Sequence, residues 1–298
     1  MPLGIVTGKV AGVTLSGILT AMVTPFDADG ALAEEPAARL MRHLLSHGSD
    51  GLVLTGTTGE ASTLTDDEKA LMWEIGVEVT RATAPGAPVI AGSGSNDTRH
   101  AVELTERAAE AGVDAALVVA PYYNRPNRRG LIAHFRAVAN ATDLPIVVYN
   151  IPARTGVDMP NDLLDELGQI ENVVAIKQAR AEDLRAIDGM DLLAGNDDML
   201  RAVLELGGTG GILVASHLVG PQMRRMIDEP DARAEIDAEL APLHRALAVA
   251  PPVISVKTAL TMLGHDVGGV RLPMVDASED ERAAIRSALE AHGLLERV

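Results

Sequence analysis

The chain has 298 residues with 42 acidic against 25 basic side chains, a formal charge of −17. That balance argues against nucleic acid or an anionic membrane as partner, because phosphate recognition runs on clustered Lys and Arg, while a small anion at a locally basic site stays compatible with it. The absence of cysteine excludes disulfides, thiolate nucleophiles, Cys-ligated zinc and iron–sulfur clusters together.

Hydrophobic residues at 47 % and charged ones at 22 % describe an ordinary globular chain, and with aromatics at 2 % its core must be Ala, Val, Leu and Ile. In chain order, Met1–Leu19 is mildly apolar. It lacks a basic region before the apolar stretch, is broken by Gly4, Gly8, Gly12 and Gly17, and carries Lys9 mid-run, so it does not read as an export signal. Short apolar runs then recur at Gly17–Val23, Gly51–Leu54, Pro88–Ala91, Ala115–Val119, Pro145–Tyr149, Val173–Ile176, Leu192–Ala194 and Gly211–Val214. Most are continuous, as strands covered on both faces of a parallel sheet should be. Helix signals fill the intervals. Thr65 with Glu68 forms a capping-box pattern before Ala70–Thr80. A second helix starts at Asn96 and closes at Gly112, and Asp197 or Asp198 caps Met199–Leu206 ahead of Gly207. This alternation predicts a closed (β/α)8 TIM barrel, with an open doubly wound sheet as the alternative. Beyond about Pro230 only helices are expected (Ala232–Leu247, Val253–Leu263, Glu279–His292), so the division is a barrel over 1–233 with an N-terminal extension and a helical region over 234–298. No run reaches 18 apolar residues, and the whole reads as a soluble cytoplasmic protein.

Function in such a barrel sits where strands end and loops begin. Of the four lysines, Lys9, Lys69, Lys177 and Lys257, only Lys177 ends an apolar strand. Burial at a barrel mouth depresses a lysine's pKa and exposes a nucleophilic amine suited to a Schiff base, whereas a rim charge is the plainer alternative. Tyr122, Tyr123 and Tyr149 all cluster at strand ends, where phenols can move protons. Gly56-Thr57-Thr58-Gly59-Glu60 offers amides and hydroxyls to a carboxylate, and Arg154 a bidentate clamp or a surface ion pair. Gly92-Ser93-Gly94 lacks the rest of a dinucleotide fingerprint. His43 and His47, four apart on a helix, read as solvated residues and not as metal ligands, and His217 ends the last strand as a candidate lining group.

Taken together, the Gly56–Glu60 turn, Ala91-Gly92-Ser93-Gly94-Ser95-Asn96, Pro121-Tyr122-Tyr123-Asn124-Arg125-Pro126, Tyr149-Asn150-Ile151-Pro152-Ala153-Arg154-Thr155-Gly156 and Ile176-Lys177 resemble the dihydrodipicolinate synthase/N-acetylneuraminate lyase family of class I aldolases, from about Gly17 to Leu295. The resemblance implies a (β/α)8 barrel with a helical C-terminal region, assembled as a homotetramer, a dimer of dimers. It implies a pyruvate Schiff base on Lys177 with no separate cofactor and no metal. Tyr149 would relay protons, and Thr57 would link it to Tyr123, which reaches into a neighbouring subunit's site. Thr58, Gly195 and Ile212 would line the pyruvate pocket, and Arg154 would meet the second substrate's carboxylate. Arg154 favours the synthase branch, which condenses pyruvate with L-aspartate-4-semialdehyde on the diaminopimelate route to lysine, over relatives acting on 2-keto sugar acids. A catalytically dead small-acid-binding barrel is the alternative from another class, and the intact Lys177, Tyr149, Thr57 and Arg154 count against it. Gln178 and Arg180 depart from the family pattern, and Pro252–Lys257 is a reduced form of a family stretch expected to affect packing more than catalysis. Where regulated members bind lysine, this sequence keeps Asn96 and Tyr122 but has Ala61, Asp66, Lys69 and His100, so lysine feedback is expected to be absent.

Overall fold

Eight short apolar runs become strands in the computed structural model, which describes residues 15–296. Residues 1–14, with Lys9 and most of the stretch read against an export signal, lie outside the described residues. The strands are β1 (Gly17–Ala21), β2 (Gly51–Leu54), β3 (Val89–Gly92), β4 (Ala115–Val119), β5 (Ile146–Asn150), β6 (Val173–Gln178), β7 (Asp191–Ala194) and β8 (Gly210–Leu213). Each pairs in parallel with the next, and β8 pairs with β1 to close the barrel, so the open-sheet alternative falls. The seam is a pair of glycines in register, Gly17 and Gly210. A Cβ on Gly210 would lie 2.1 Å from the Gly17 carbonyl oxygen, so β8 reaches β1 only because residue 210 lacks a side chain, while a Cβ on Gly17 would meet the Asp50 carboxylate instead.

Side chains alternate between two cores. Leu19, Val53, Ile90, Leu117, Val147, Leu193 and Ile212 fill the lumen, while Ile18, Leu52, Leu54, Val148 and Ile176 face the helices. In β6 the alternation slips. The register shifts between Ile146 and Val147 on β5, whose partners are Val173 and Ala175, so Val174 is an extra residue. Val174 and Ala175 both belong to the lumen. Because strand parity has period two, this bulge reverses which face every later residue takes. Ile176 then faces the helices, Lys177 takes the lumen parity, and Lys177 falls in register with Tyr149.

The helices are α1 (Glu34–Ser46), α2 (Asp66–Thr83), α3 (Thr98–Glu110), α4 (Arg128–Ala139), α5 (Pro152–Thr155), α6 (Asn161–Leu167), α7 (Leu200–Glu205), α8 (Ser216–Asp228), α9 (Arg233–Leu247), α10 (Pro252–Met262) and α11 (Glu279–Ala291). The Thr65–Glu68 capping box forms at α2 as expected. Helix α3 is capped by Asp97, one residue after Asn96. Residues 179–190, between β6 and β7, contain no helix, a departure from the regular alternation. Helices α9, α10 and α11 pack on one another, and α9 and α10 also pack on α8. Among the described residues, no helix is long and apolar enough to cross a membrane.

Three local readings need correction. Asp197 does not cap α7 with its side chain; its carboxylate accepts the backbone N–H groups of Val214 and Ala215 at 2.9 and 3.0 Å, fastening the end of β8. His217 lies in α8, not at a strand end, and is buried: Nε2 accepts the Val23 N–H at 3.2 Å and Nδ1 meets the Val214 carbonyl at 2.8 Å. It ties β1 to the β8–α8 turn. His43 is not simply solvated: it stacks on His47 and contacts the His265 ring, and burial with these neighbours pulls its pKa down to about 4.

Candidate active site

At the C-terminal ends of the strands lies a cavity of about 540 Å3. Its walls include Thr57 after β2, Tyr122 after β4, Tyr149 at the end of β5, Arg154 in α5, and Pro273 and Met274 from the C-terminal region. Lys177, Thr58, Gly195 and Ile212 are buried. Lys177 is 5 % exposed, and its Nζ sits 4.2 Å from the centroid of the Tyr149 ring.

The three lysines among the described residues are all buried, and their partners separate them. Lys69 meets Asp66 at 3.1 Å and Lys257 meets Glu60 at 2.8 Å. Lys177 has no salt-bridge partner among the described residues. Its ammonium form would be desolvated without a counter-charge, and burial draws its pKa down to about 7, with Asp197 opposing and the Arg154 guanidinium assisting. Burial also pushes the Tyr149 phenol up to about 12, against a smaller pull from Arg154. Near neutral pH the site therefore holds an amine of which about half is uncharged, against none to speak of for an ordinary lysine, beside a phenol that keeps its proton, groups able to serve as a nucleophile and an acid.

The turn after β2 is held in an unusual shape. Thr55 and Glu60 both have left-handed backbones, φ +54° and +56°. Such residues cost about 1–3 kcal/mol each and persist only where the surroundings fix them. Thr55 is fixed by the Trp73 indole N–H, which donates to its Oγ1 at 2.8 Å. Gly59 is fixed through its carbonyl, which accepts from the Thr24 hydroxyl at 2.7 Å. Gly92 and Gly94 serve close packing: a Cβ on Gly92 would fall 2.4 Å from the Thr55 carbonyl, and one on Gly94 2.6 Å from the Val119 nitrogen.

Thr57, Tyr149 and Arg154 line the cavity, whereas Lys177, Thr58, Gly195, Ile212 and Tyr123 are not among its lining residues; Lys177 reaches it through its contact with the Tyr149 ring. Tyr123 is 88 % exposed on a left-handed backbone (φ +74°), projecting away from this chain's own cavity. Gly195 is a glycine for a packing reason, since its N–H donates to the Gln178 carbonyl at 2.8 Å and a Cβ would lie 2.7 Å from that oxygen. The two departures from the family pattern turn elsewhere. The Gln178 side chain accepts the Arg180 N–H, and the Arg180 guanidinium pairs with Asp158 at 3.2 Å. Sequence reasoning missed Asp197 because its carboxylate read as a helix cap, and it missed Pro273 and Met274, for which no local signal exists. Among the described residues no cluster of three or more His, Asp or Glu side chains is placed to hold a metal.

A buried lysine with a depressed pKa, in register with a phenol at the C-terminal mouth of a parallel eight-stranded barrel, is the architecture of the class I aldolases. The sequence matches the Dihydrodipicolinate synthetase family over residues 14–292. It is 44 % identical over 292 residues to the 4-hydroxy-tetrahydrodipicolinate synthase of Thermosynechococcus vestitus, covering 93 % of this chain and 97 % of that one. The fold superposes with a TM-score of 0.90 at 39 % identity on the dihydrodipicolinate synthase of Cyanidioschyzon merolae with lysine bound, covering 94 % and 99 % of the two chains. It superposes with a TM-score of 0.89 at 36 % identity on the chloride-inhibited enzyme of Acinetobacter baumannii complexed with pyruvate, covering 95 % and 100 %. The chain belongs to the dihydrodipicolinate synthetase family, and is thus a lyase of the class I aldolase type.

The depressed Lys177 pKa has a stability consequence of definite sign. Between about 7 and the ordinary lysine value of 10.5 the unfolded chain binds more protons at this site than the folded one, so stability rises with pH across that window. Below it, burying the amine costs on the order of several kcal/mol. Lys177→Met should therefore raise the urea midpoint at pH 7, with the gain shrinking toward pH 10. A variant less stable than the parent at pH 7 would show that the amine is not held against its own ionisation.

Proposed function

We propose that the chain catalyses the 4-hydroxy-tetrahydrodipicolinate synthase reaction, the condensation of pyruvate with L-aspartate-4-semialdehyde through a Schiff base on Lys177. The observation that carries this reading is the contrast between lysines: Lys69 and Lys257 face carboxylates, and the buried Lys177 amine faces the Tyr149 ring. The names of the relatives and the pyruvate complex of the Acinetobacter baumannii enzyme support the choice of substrates.

The neutral Lys177 amine adds to the pyruvate C2 carbonyl, and loss of water gives an iminium. That cation acidifies the C3 methyl group, whose proton leaves to give an enamine. C3 then attacks the aldehyde carbon of the second substrate, and the resulting alkoxide takes a proton. The second substrate's amine finally attacks the C2 iminium, closing the ring and releasing Lys177. Each stage needs a proton donor or acceptor close to the amine. Tyr149 keeps its proton at neutral pH and lies against Lys177, which suits it to that task. Thr57 stands on the same cavity wall, and the exposed Tyr123 is offered outward for a neighbouring subunit's relay. Thr58, Gly195 and Ile212, all buried, are assigned to the pyruvate end on the family resemblance. Arg154 is exposed on the wall with no salt-bridge partner among the described residues, free to take a carboxylate in bidentate fashion.

The Asp66 side of the cavity supports the reading that L-lysine is not an inhibitor here, unlike what the lysine-bound Cyanidioschyzon merolae structure suggests for that enzyme. The Asp66 carboxylate already meets Lys69 at 3.1 Å and His100 Nε2 at 2.9 Å, and His100 Nδ1 meets Ser95 at 3.2 Å. A ligand ammonium would find Lys69 as a like charge and no free counter-charge, costing on the order of 2–5 kcal/mol of binding.

Five outcomes test this reading. Borohydride reduction with pyruvate should add mass to the Lys177 peptide, and turnover should favour aspartate semialdehyde over N-acetylneuraminate and 2-keto-3-deoxygluconate. Arg154→Met should raise the aldehyde KM roughly 10- to 100-fold, the worth of a charge-assisted bond, with little change for pyruvate. Labelling at Lys69 or Lys257 instead, or preference for a sugar acid, would falsify the assignment. Mixing inactive Tyr123→Phe and Lys177→Met subunits should restore activity once exchange is confirmed; none regained means that Tyr123 serves no partner. Turnover should be unchanged by millimolar L-lysine, and clear inhibition at about 1 mM would show a cleft that still binds it.

A further inference from the structure

The C-terminal region holds the only buried ion pair that reaches the turn carrying Thr57 and Thr58, among the described residues. Glu60, 4 % exposed, ends that turn, and Lys257, 2 % exposed, lies in α10, 197 residues later. The Lys257 Nζ donates to Glu60 Oε1 at 2.8 Å and to the Gly269 carbonyl at 2.6 Å. The other Glu60 oxygen accepts the Arg271 backbone N–H at 2.9 Å. Arg271 then spreads its guanidinium over the Gly30 carbonyl at 2.8 Å, the Thr63 carbonyl at 2.9 Å and the Glu68 carboxylate. The Lys257 Nζ and the Arg271 guanidinium carbon each lie 4.2 Å from the centroid of the Phe26 ring.

A buried ion pair is a poor device for stability alone, because well-packed apolar residues of similar volume often serve as well or better. What it adds is direction: both carboxylate oxygens and the ammonium are committed to named partners. Here those partners fix Glu60 in its left-handed conformation, at the opposite end of the turn from Thr55. The same Arg271 anchors the start of the segment that places Pro273 and Met274 on the cavity wall.

We infer that Glu60, Lys257 and Arg271 form a clamp through which the C-terminal helices position the Thr57–Thr58 turn and the Pro273–Met274 wall for pyruvate. The three are positioning residues, acting through the turn and touching no reacting atom. The inference rests on the reading of Lys177 and pyruvate given above. It also reverses the expectation that the Pro252–Lys257 stretch affects packing more than catalysis.

The test separates positioning from folding. Lys257→Met leaves the Glu60 carboxylate buried and unpaired, so a lowered melting temperature is expected from it. Adding Glu60→Gln removes that charge, and the double variant should recover most of the melting temperature. Its pyruvate response should not recover. The pyruvate concentration for half-maximal borohydride trapping at Lys177 should stay about 10- to 100-fold above the parent's, the scale of loss from misplacement by about 1 Å. Glu60→Gln alone keeps the shape of the side chain but leaves the Lys257 ammonium buried without its counter-charge, so its melting temperature should fall as well, and its pyruvate response should shift in the same direction. A double or Glu60→Gln variant that is folded and traps pyruvate like the parent overturns the clamp. A parent that is not trapped at Lys177 at all overturns the functional reading instead, so the two failures are distinguishable.

Discussion

One unpaired amine in a dry lumen sets the terms for the rest of this molecule. A lysine on an ordinary surface is protonated and chemically quiet at neutral pH. Lys177 is held on the inward parity of a closed barrel, in register with Tyr149, with no salt-bridge partner among the described residues and a pull from Asp197 too small to repay its desolvation. Closure of the barrel at Gly17 and Gly210 and the extra residue Val174 both serve that placement. Without the bulge, strand parity would put Lys177 on the helix side and Ile176 in the lumen.

The environment around the amine is built from small and aliphatic residues because the chain has so few aromatics. With two Phe, three Tyr and one Trp in all, each has a particular position. Trp73 is fully buried and donates to the Thr55 hydroxyl, Phe26 receives two cationic groups, and Tyr149 meets Lys177. Three of the six aromatic side chains thus contact either Lys177 or the supports of the Thr57–Thr58 turn. The strain at Thr55 and Glu60 is held by these contacts and by groups far along the chain. The local sequence of the turn does not prefer that shape by itself, since only glycine enters the left-handed region without cost.

That division explains what the amino-acid sequence could and could not reveal. Strands buried on both faces announce themselves as continuous apolar runs, and the Thr65–Glu68 cap is a local signal, so the barrel and α2 were legible. Lys177 was legible because it ends such a run. The bulge at Val174 was not, since Val, Val and Ala read alike in either parity. Asp197 looked like a helix cap because a carboxylate before a helix usually is one; its partners, Val214 and Ala215, come from the next βα unit. Lys257 was read as an ordinary helix residue because its partner Glu60 lies 197 residues away. The absence of a helix between β6 and β7 breaks the alternation that the periodic pattern led one to expect. Tyr123, exposed and left-handed, has no physical account within a single chain.

The formal charge of −17 raises the question of how such a chain admits anionic substrates. Range decides it. At physiological ionic strength, exposed charges more than about 8 Å apart are largely screened, so the net charge acts weakly on an anion already at the mouth. What acts there is the local inventory. The Glu60 carboxylate is committed to Lys257 and Arg271, the Asp66 carboxylate to Lys69 and His100, and Asp197 to two backbone N–H groups. Arg154 alone lines the cavity as a cation with no salt-bridge partner among the described residues. Its influence already reaches Lys177 and Tyr149, drawing both pKa values downward. A single guanidinium thus both offers a carboxylate an unpaired cation and favours the neutral form of the Lys177 amine, against the sign of the molecule as a whole.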